Sequence, residues 1–150
     1  MSGFQTNLFA GIAAALQTAS LGTYNAAGVY TTAQTGIVMG TMPQGPDRII
    51  ALTPYGVGDD PSLSDSVMGL QVRTRWGGAN PTLVADLDDL IFDYLQTKTN
   101  WTVGSGAAAV TIVQCLRKSG PVSLGQDASL RWSLSSNYYL DVWRPSTNRT

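Results

Sequence analysis

The chain has 150 residues, 43% of them hydrophobic, with nine cations against ten acids and no histidine. That length supports one domain with a real core. The near-neutral charge leaves no basic patch to neutralise a nucleic acid's phosphates, and the missing histidine removes the commonest general base and transition-metal ligand. All ten acids are aspartate; nothing in the sequence explains that choice.

The first expected element is a helix from about Phe4 to Ser20, with Phe4, Leu8, Ile12, Ala15, Leu16 and Ala19 on one face. Its other side is Ala, Thr, Asn and Gln, a smooth face that either meets a neighbouring subunit or is solvated. The N-terminal stretch is not read as a signal peptide: it lacks a basic start, and Gln17 and Thr18 break its apolar run. No segment reaches the ~20 apolar residues that span a bilayer. Residues 24–46 are rich in Gly, Thr, Ala and Pro, with two β-prone pieces, Gly28–Thr31 and Thr35–Met39. A segment this long suggests an extended arm or hairpin that orders on a partner.

A strand over Arg48–Tyr55 is expected to end at Pro54. The loop after it carries Asp59, Asp60 and Asp65, whose spacing fits turn chemistry better than a cation site. The next strand, from Val67, puts Met68, Leu70, Val72, Thr74 and Trp76 on one face and Arg73 and Arg75 on the other. The two arginines either clamp a neighbour's carboxylates or pair with acids of the same chain. After Gly77-Gly78, Asn80 caps a helix with Pro81 at its first position, ending near Lys98. Its expected stripe is Leu83, Val84, Leu87, Leu90, Ile91, Tyr94 and Leu95. Asp86, Asp88, Asp89 and Asp93 lie away from it, as a solvated face or as an anionic wall repelling a passing polyanion. Phe92 falls on that polar side and is a candidate subunit contact.

Residues Thr99–Gly106 read as a loop carrying Trp101, and Ala107–Lys118 as a central strand. The lone Cys115 excludes a disulfide framework or a thiolate zinc cage and reads as a buried, inert thiol. The residues after Lys118 read as another loop. A last strand spans Leu130 to Trp143, long enough to need a bend near Ser135–Asn137. Residues 145–150 are expected to fray. Two glycosylation sequons, at Asn100 and Asn148, read as chance matches. The expectation is one α+β domain over 1–150: a mainly antiparallel sheet of four or more strands with two amphipathic helices on one face. No P-loop, no GxSxG and no dinucleotide fingerprint is present. A nuclease built on Asp86, Asp89 and Lys98 would need acids at sheet ends, not on the outer side of a helix. The chain is therefore read as a non-enzyme, with no catalytic residue, cofactor or metal.

Several stretches in order, namely IIALTPY (Ile49–Tyr55), DDPSLSDSVMGLQVRTR (Asp59–Arg75), NPTLVADLDDLIFDYL, LGQD (Leu124–Asp127) and RWSLSSNYYL (Arg131–Leu140), resemble a known family. It is that of the small head–tail joining proteins of long-tailed actinobacterial phages, often labelled minor capsid protein and read as tail terminators. The resemblance covers about Arg48 to Arg144. One departure is Leu130, where relatives tend to have Gly, so the turn there is expected to differ. The resemblance implies a structural virion protein of the neck or tail end, made in the host cytoplasm. It implies a ring, a hexamer, on the tail tube that ends tube growth and meets the head connector. DNA would pass through its lumen without specific binding, and no membrane is involved. Asp86, Asp89 and Asp93 then become candidates for the lumen, and Phe92, Arg73 and Arg75 for a subunit or neck interface. A head-completion or connector-adaptor protein is the alternative within the class; a packaging nuclease is the alternative outside it.

Overall fold

The computed structural model describes residues 2–149. Two helices, α1 (Phe4–Thr18) and α2 (Thr82–Leu95), accompany seven strands: β1 (Thr23–Tyr24), β2 (Gly36–Met39), β3 (Ile49–Asp59), β4 (Asp65–Trp76), β5 (Thr99–Val103), β6 (Val110–Gln126) and β7 (Trp132–Trp143). They form one sheet in the order β1-β2-β3-β4-β7-β6-β5.

The α+β class stands, but the sheet is mixed rather than simply antiparallel. The strands from β3 onward pair antiparallel, while β1 and β2 add a parallel edge to β3. The parallel edge comes from the segment read as an arm. Its second β-prone piece forms β2, with Ile37 fully buried, whereas Gly28–Thr31 forms no strand. Tyr30 holds this connection down by donating from its hydroxyl to the Ile37 carbonyl at 2.6 Å.

The period of two on β4 is realised as read. Met68, Leu70, Val72 and Thr74 are buried, and their partners on β7 (Leu140, Tyr138, Ser136) and β3 (Leu52, Ile50) share that inner face. Both helices cover it in one continuous core containing Leu8, Ile12, Leu16, Leu87, Ile91 and Leu95. The sheet curls so that α1 meets both of its edges. The Phe9 ring stands edge-on to Tyr24 of β1 at 5.5 Å. At the other edge, a Cβ on Gly11 would lie 2.7 Å from Val103 of β5, so only glycine lets α1 and β5 come this close.

Strand β5 lies in what the sequence suggests is a loop; Thr97, Asn100 and Gly104, all at positive φ, interrupt the local pattern. The residues after Lys118 continue β6 to Gln126 in a long, largely exposed hairpin. The irregularity expected at Ser135–Asn137 is there, but it sits in the partner strand. The β4–β7 register runs unbroken, while β6 shifts opposite Asn137 and Ser135. A strand paired on both sides resists an inserted residue, so the bulge falls on its more exposed neighbour. The turn into β7 keeps a glycine-like conformation: Leu130 has φ 62. The C-terminal tail, expected to fray, carries a Ser146–Arg149 bridge, and Arg149 donates from Nε to the Leu63 carbonyl at 2.8 Å.

Candidate functional site

Helix α2 begins one residue later than expected, at Thr82, with Pro81 and not Asn80 in the N-cap position, and it ends at Leu95, short of Lys98. The Asn80 carboxamide oxygen accepts from the Thr82 amide at 3.0 Å and the Thr82 hydroxyl at 2.7 Å, and Pro81 already has helical dihedrals. Its buried stripe is narrower than expected: Val84, Leu87, Asp88, Ile91 and Leu95. Leu83 and Leu90 are corrected to surface residues, Leu90 being 54% exposed. They flank an outward ridge of Asp86, Asp89 and Asp93, all exposed and without an ion pair among the described residues. Beside the ridge, Leu21, Trp76, Leu83, Asp86 and Leu90 line a mainly apolar cleft of about 250 Å³.

Asp88 does not belong with the ridge. It is buried on the sheet, accepts a hydrogen bond from the Ser136 hydroxyl at 3.1 Å and faces Arg117 at 3.7 Å. Burial pushes its carboxyl above the ordinary aspartate value, only partly opposed by Ser136 and Arg117. The Tyr138 hydroxyl lies buried in the same cluster without a hydrogen-bond partner. Phe92 is corrected as well. It is not opposite the core but partly buried at its margin, with the Arg117 guanidinium 4.0 Å from its ring centroid.

The two strand arginines share the outer sheet face but have different surroundings. Arg75 is 4% exposed, and its donors are taken by the chain itself: Nε to the Asp47 carbonyl at 3.0 Å, Nη2 to the Pro43 and Pro46 carbonyls at 2.8 and 2.7 Å. Arg131, also buried, reaches the Gln44 carbonyl and bonds Asp127 at 2.8 Å. Together they hold residues 43–47 against the end of the sheet. Sequence reasoning passed over Arg131; its spacing of four from Asp127 is the signal that could have found it. Arg75 is therefore occupied within the chain. Arg73 differs: its cross-strand partners are Ala51 and Ser135, neither an acid, and it has no ion pair among the described residues.

Around Arg73 the outer face is polar and aromatic. Tyr55, Gly69, Tyr139 and Leu116 form one row across four strands. The Tyr55 ring lies on Gly69, where a Cβ would come within 2.0 Å of it, and its hydroxyl donates to the Asn137 carboxamide oxygen at 3.0 Å. Lys118 reaches over the Tyr139 ring at 5.8 Å.

The remaining candidates have structural employment. Asp60 caps its own turn, accepting from the Ser62 amide and hydroxyl at 2.7 Å, and these bonds hold its carboxyl below the ordinary value. Cys115 is fully buried, which pushes its thiol up to about 12 and leaves no thiolate at neutral pH. Lys98 rests on the rings of Tyr94 and Trp101, 4.2 and 5.1 Å from their centroids. Among the described residues, no helix is long and apolar enough to cross a membrane.

The features that distinguish this molecule are two surfaces, an acidic ridge on α2 and an outer sheet face of mixed charge on which Arg73 and Lys118 stand near Asp141. Comparison with family models places the chain among the structural proteins of phage tails. The model described as bacteriophage tail terminator protein matches residues 15–143, from the end of α1 through all of β7, and the chain belongs to that family. Its place is accordingly in the virion. No curated protein matches the chain.

Proposed function

We propose that this protein assembles as a ring, a hexamer, on the head-proximal end of the tail tube, ends tube polymerisation there and joins the tail to the head connector. In that setting it is one of the proteins often labelled minor capsid protein, it acts without catalysis, cofactor or metal, and DNA crosses its lumen without specific binding. Assembly takes place in the host cytoplasm. The observation that carries the reading is the family match across nearly the whole sheet and α2. Three features of the chain support it. An acidic ridge stands on the helix side, and Arg73 and Lys118 stand without ion pairs among the described residues on the other side of the sheet; unlike patches on one domain suit head-to-tail contacts. The β6–β7 hairpin carries Val122, Leu124 and Leu130 exposed, a strip suited to an axial partner such as the tube. The acids of α2 stand apart in an exposed row, whereas a metal-dependent nuclease gathers its carboxylates around a shared ion.

The test is tube growth. Tail tube protein polymerised with and without this chain should give capped tubes of limited length with it and open-ended growth without it. Unchanged tube length, with no density added at either end, contradicts the proposal. Binding to portal-side proteins in place of tubes selects the connector-adaptor reading.

A further inference from the structure

We infer that neighbouring copies in the ring meet through the α2 ridge of one and the outer sheet face of the next, with Arg73 and Lys118 receiving Asp86 and Asp89. This rests on the ring reading above and names the contact that builds it.

The argument starts from what each surface lacks. The ridge carries three carboxylates without a cation among the described residues, beside a leucine more than half exposed and an apolar cleft. A wall that only repels DNA needs the charges and gains nothing from Leu83 and Leu90 in water; a protein contact uses both. The sheet face offers two cations. Arg73 is a half-buried guanidinium with no acid across either strand and no ion pair among the described residues. Lys118 is an exposed ammonium with no ion pair among the described residues, although Asp141 lines the same pocket. Between and beside them, Tyr55, Tyr139 and Val122 supply apolar area, Val122 pairing with Ser135 in the same row as Arg73.

The occupant is a second copy because the charges match within one chain and the surfaces lie on opposite sides of it. The ridge stands on the helix side of the sheet, and Arg73 points away from the helices. A surface that fits a different patch on an identical molecule gives a head-to-tail contact, the kind from which a ring is built when the rotation between copies closes. The acids then sit at the subunit boundary and not in the lumen.

A charge exchange tests this. Arg73→Asp with Lys118→Asp reverses the sheet face; Asp86→Arg with Asp89→Arg reverses the ridge. Ring-sized species are counted by native mass spectrometry, alone and bound to purified tail tubes, after circular dichroism has shown a folded chain. Each half-exchange should reduce rings roughly tenfold or more, since like charges then face each other across the contact. The four-fold variant should restore them. If Arg73→Asp fails to fold, the exposed pair Lys118→Asp and Asp89→Arg gives the same two losses and the same rescue. Rings that persist in both half-exchanges overturn the contact while leaving the ring reading intact. Losses without rescue overturn the pairing. A wild-type chain that forms no ring alone or on tubes overturns the ring reading itself.

Discussion

Helices α1 and α2 lie on the same face of one sheet, and their sequences answer different demands. Helix α1 has no charged residue, and it bridges the two edges of the curled sheet through Phe9 on Tyr24 and Gly11 on Val103. Helix α2 has four aspartates and leaves Leu83 and Leu90 in water. The first helix is spent on closing the fold. The second closes the fold with one stripe and carries an unmatched surface on the rest. The comparison teaches where to look for a contact surface: at the helix that leaves large apolar side chains, Leu83 and Leu90, in water.

The sharpest way to break this contrast is to truncate one leucine-sized side chain on each helix. Ile12→Ala empties a fully buried position and should cost about 3 kcal/mol in denaturant unfolding. Leu90→Ala should change stability by less than about 0.5 kcal/mol and yet weaken assembly. Equal losses from both would make α2 a core helix like α1.

Filling the close approach tests the bridging role of α1. Gly11→Val should destabilise by about 1–3 kcal/mol, read in the same unfolding experiment, because its side chain must displace Val103. No loss would mean that α1 does not clamp β5.

The buried acid of α2 gives a pH signature that the ridge does not. The folded-state pKa of Asp88 lies above its unfolded value, so its proton favours the native state. That contribution is full below the unfolded pKa and is lost as pH rises through the folded one. The Tm of Asp88→Asn relative to wild type should therefore grow more favourable as pH rises above the ordinary aspartate value of about 4. A difference independent of pH would mean that Asp88 is solvated like Asp86.

Much of this contrast was legible in the residues. The hold of Asn80 on Thr82 at the start of α2, the alternation of β4 and the helical spacing of Leu8, Ile12 and Leu16 each follow from local chemistry and are found in place. Periodicity could not say which of Leu83, Val84, Leu87 and Leu90 is buried, because the stripe it draws is wider than the strip of sheet that α2 covers. Asp88 was read as solvated for the same reason; its burial depends on Ser136 and Arg117, distant in the chain. Arg73 and Arg75 look alike in sequence. What separates them is a loop more than 25 residues away, whose carbonyls reach one guanidinium and not the other.

The smallest expected effect concerns the hairpin turn. Leu130 holds φ 62 while 63% exposed, so it bears left-handed strain with little burial in return. Leu130→Gly should raise stability by about 0.5 kcal/mol, the relief of strain exceeding the entropy that glycine adds to the unfolded chain. A loss of stability would show that the side chain is held by contacts within the chain.

The most direct measurement is an electron cryomicroscopy reconstruction of tail tubes capped with this protein. The account predicts a closed ring at one end of the tube, each α2 ridge seated against the Arg73 face of the neighbouring copy. A single copy at the tube end, or a ring whose copies leave both surfaces facing solvent or the lumen, would contradict it.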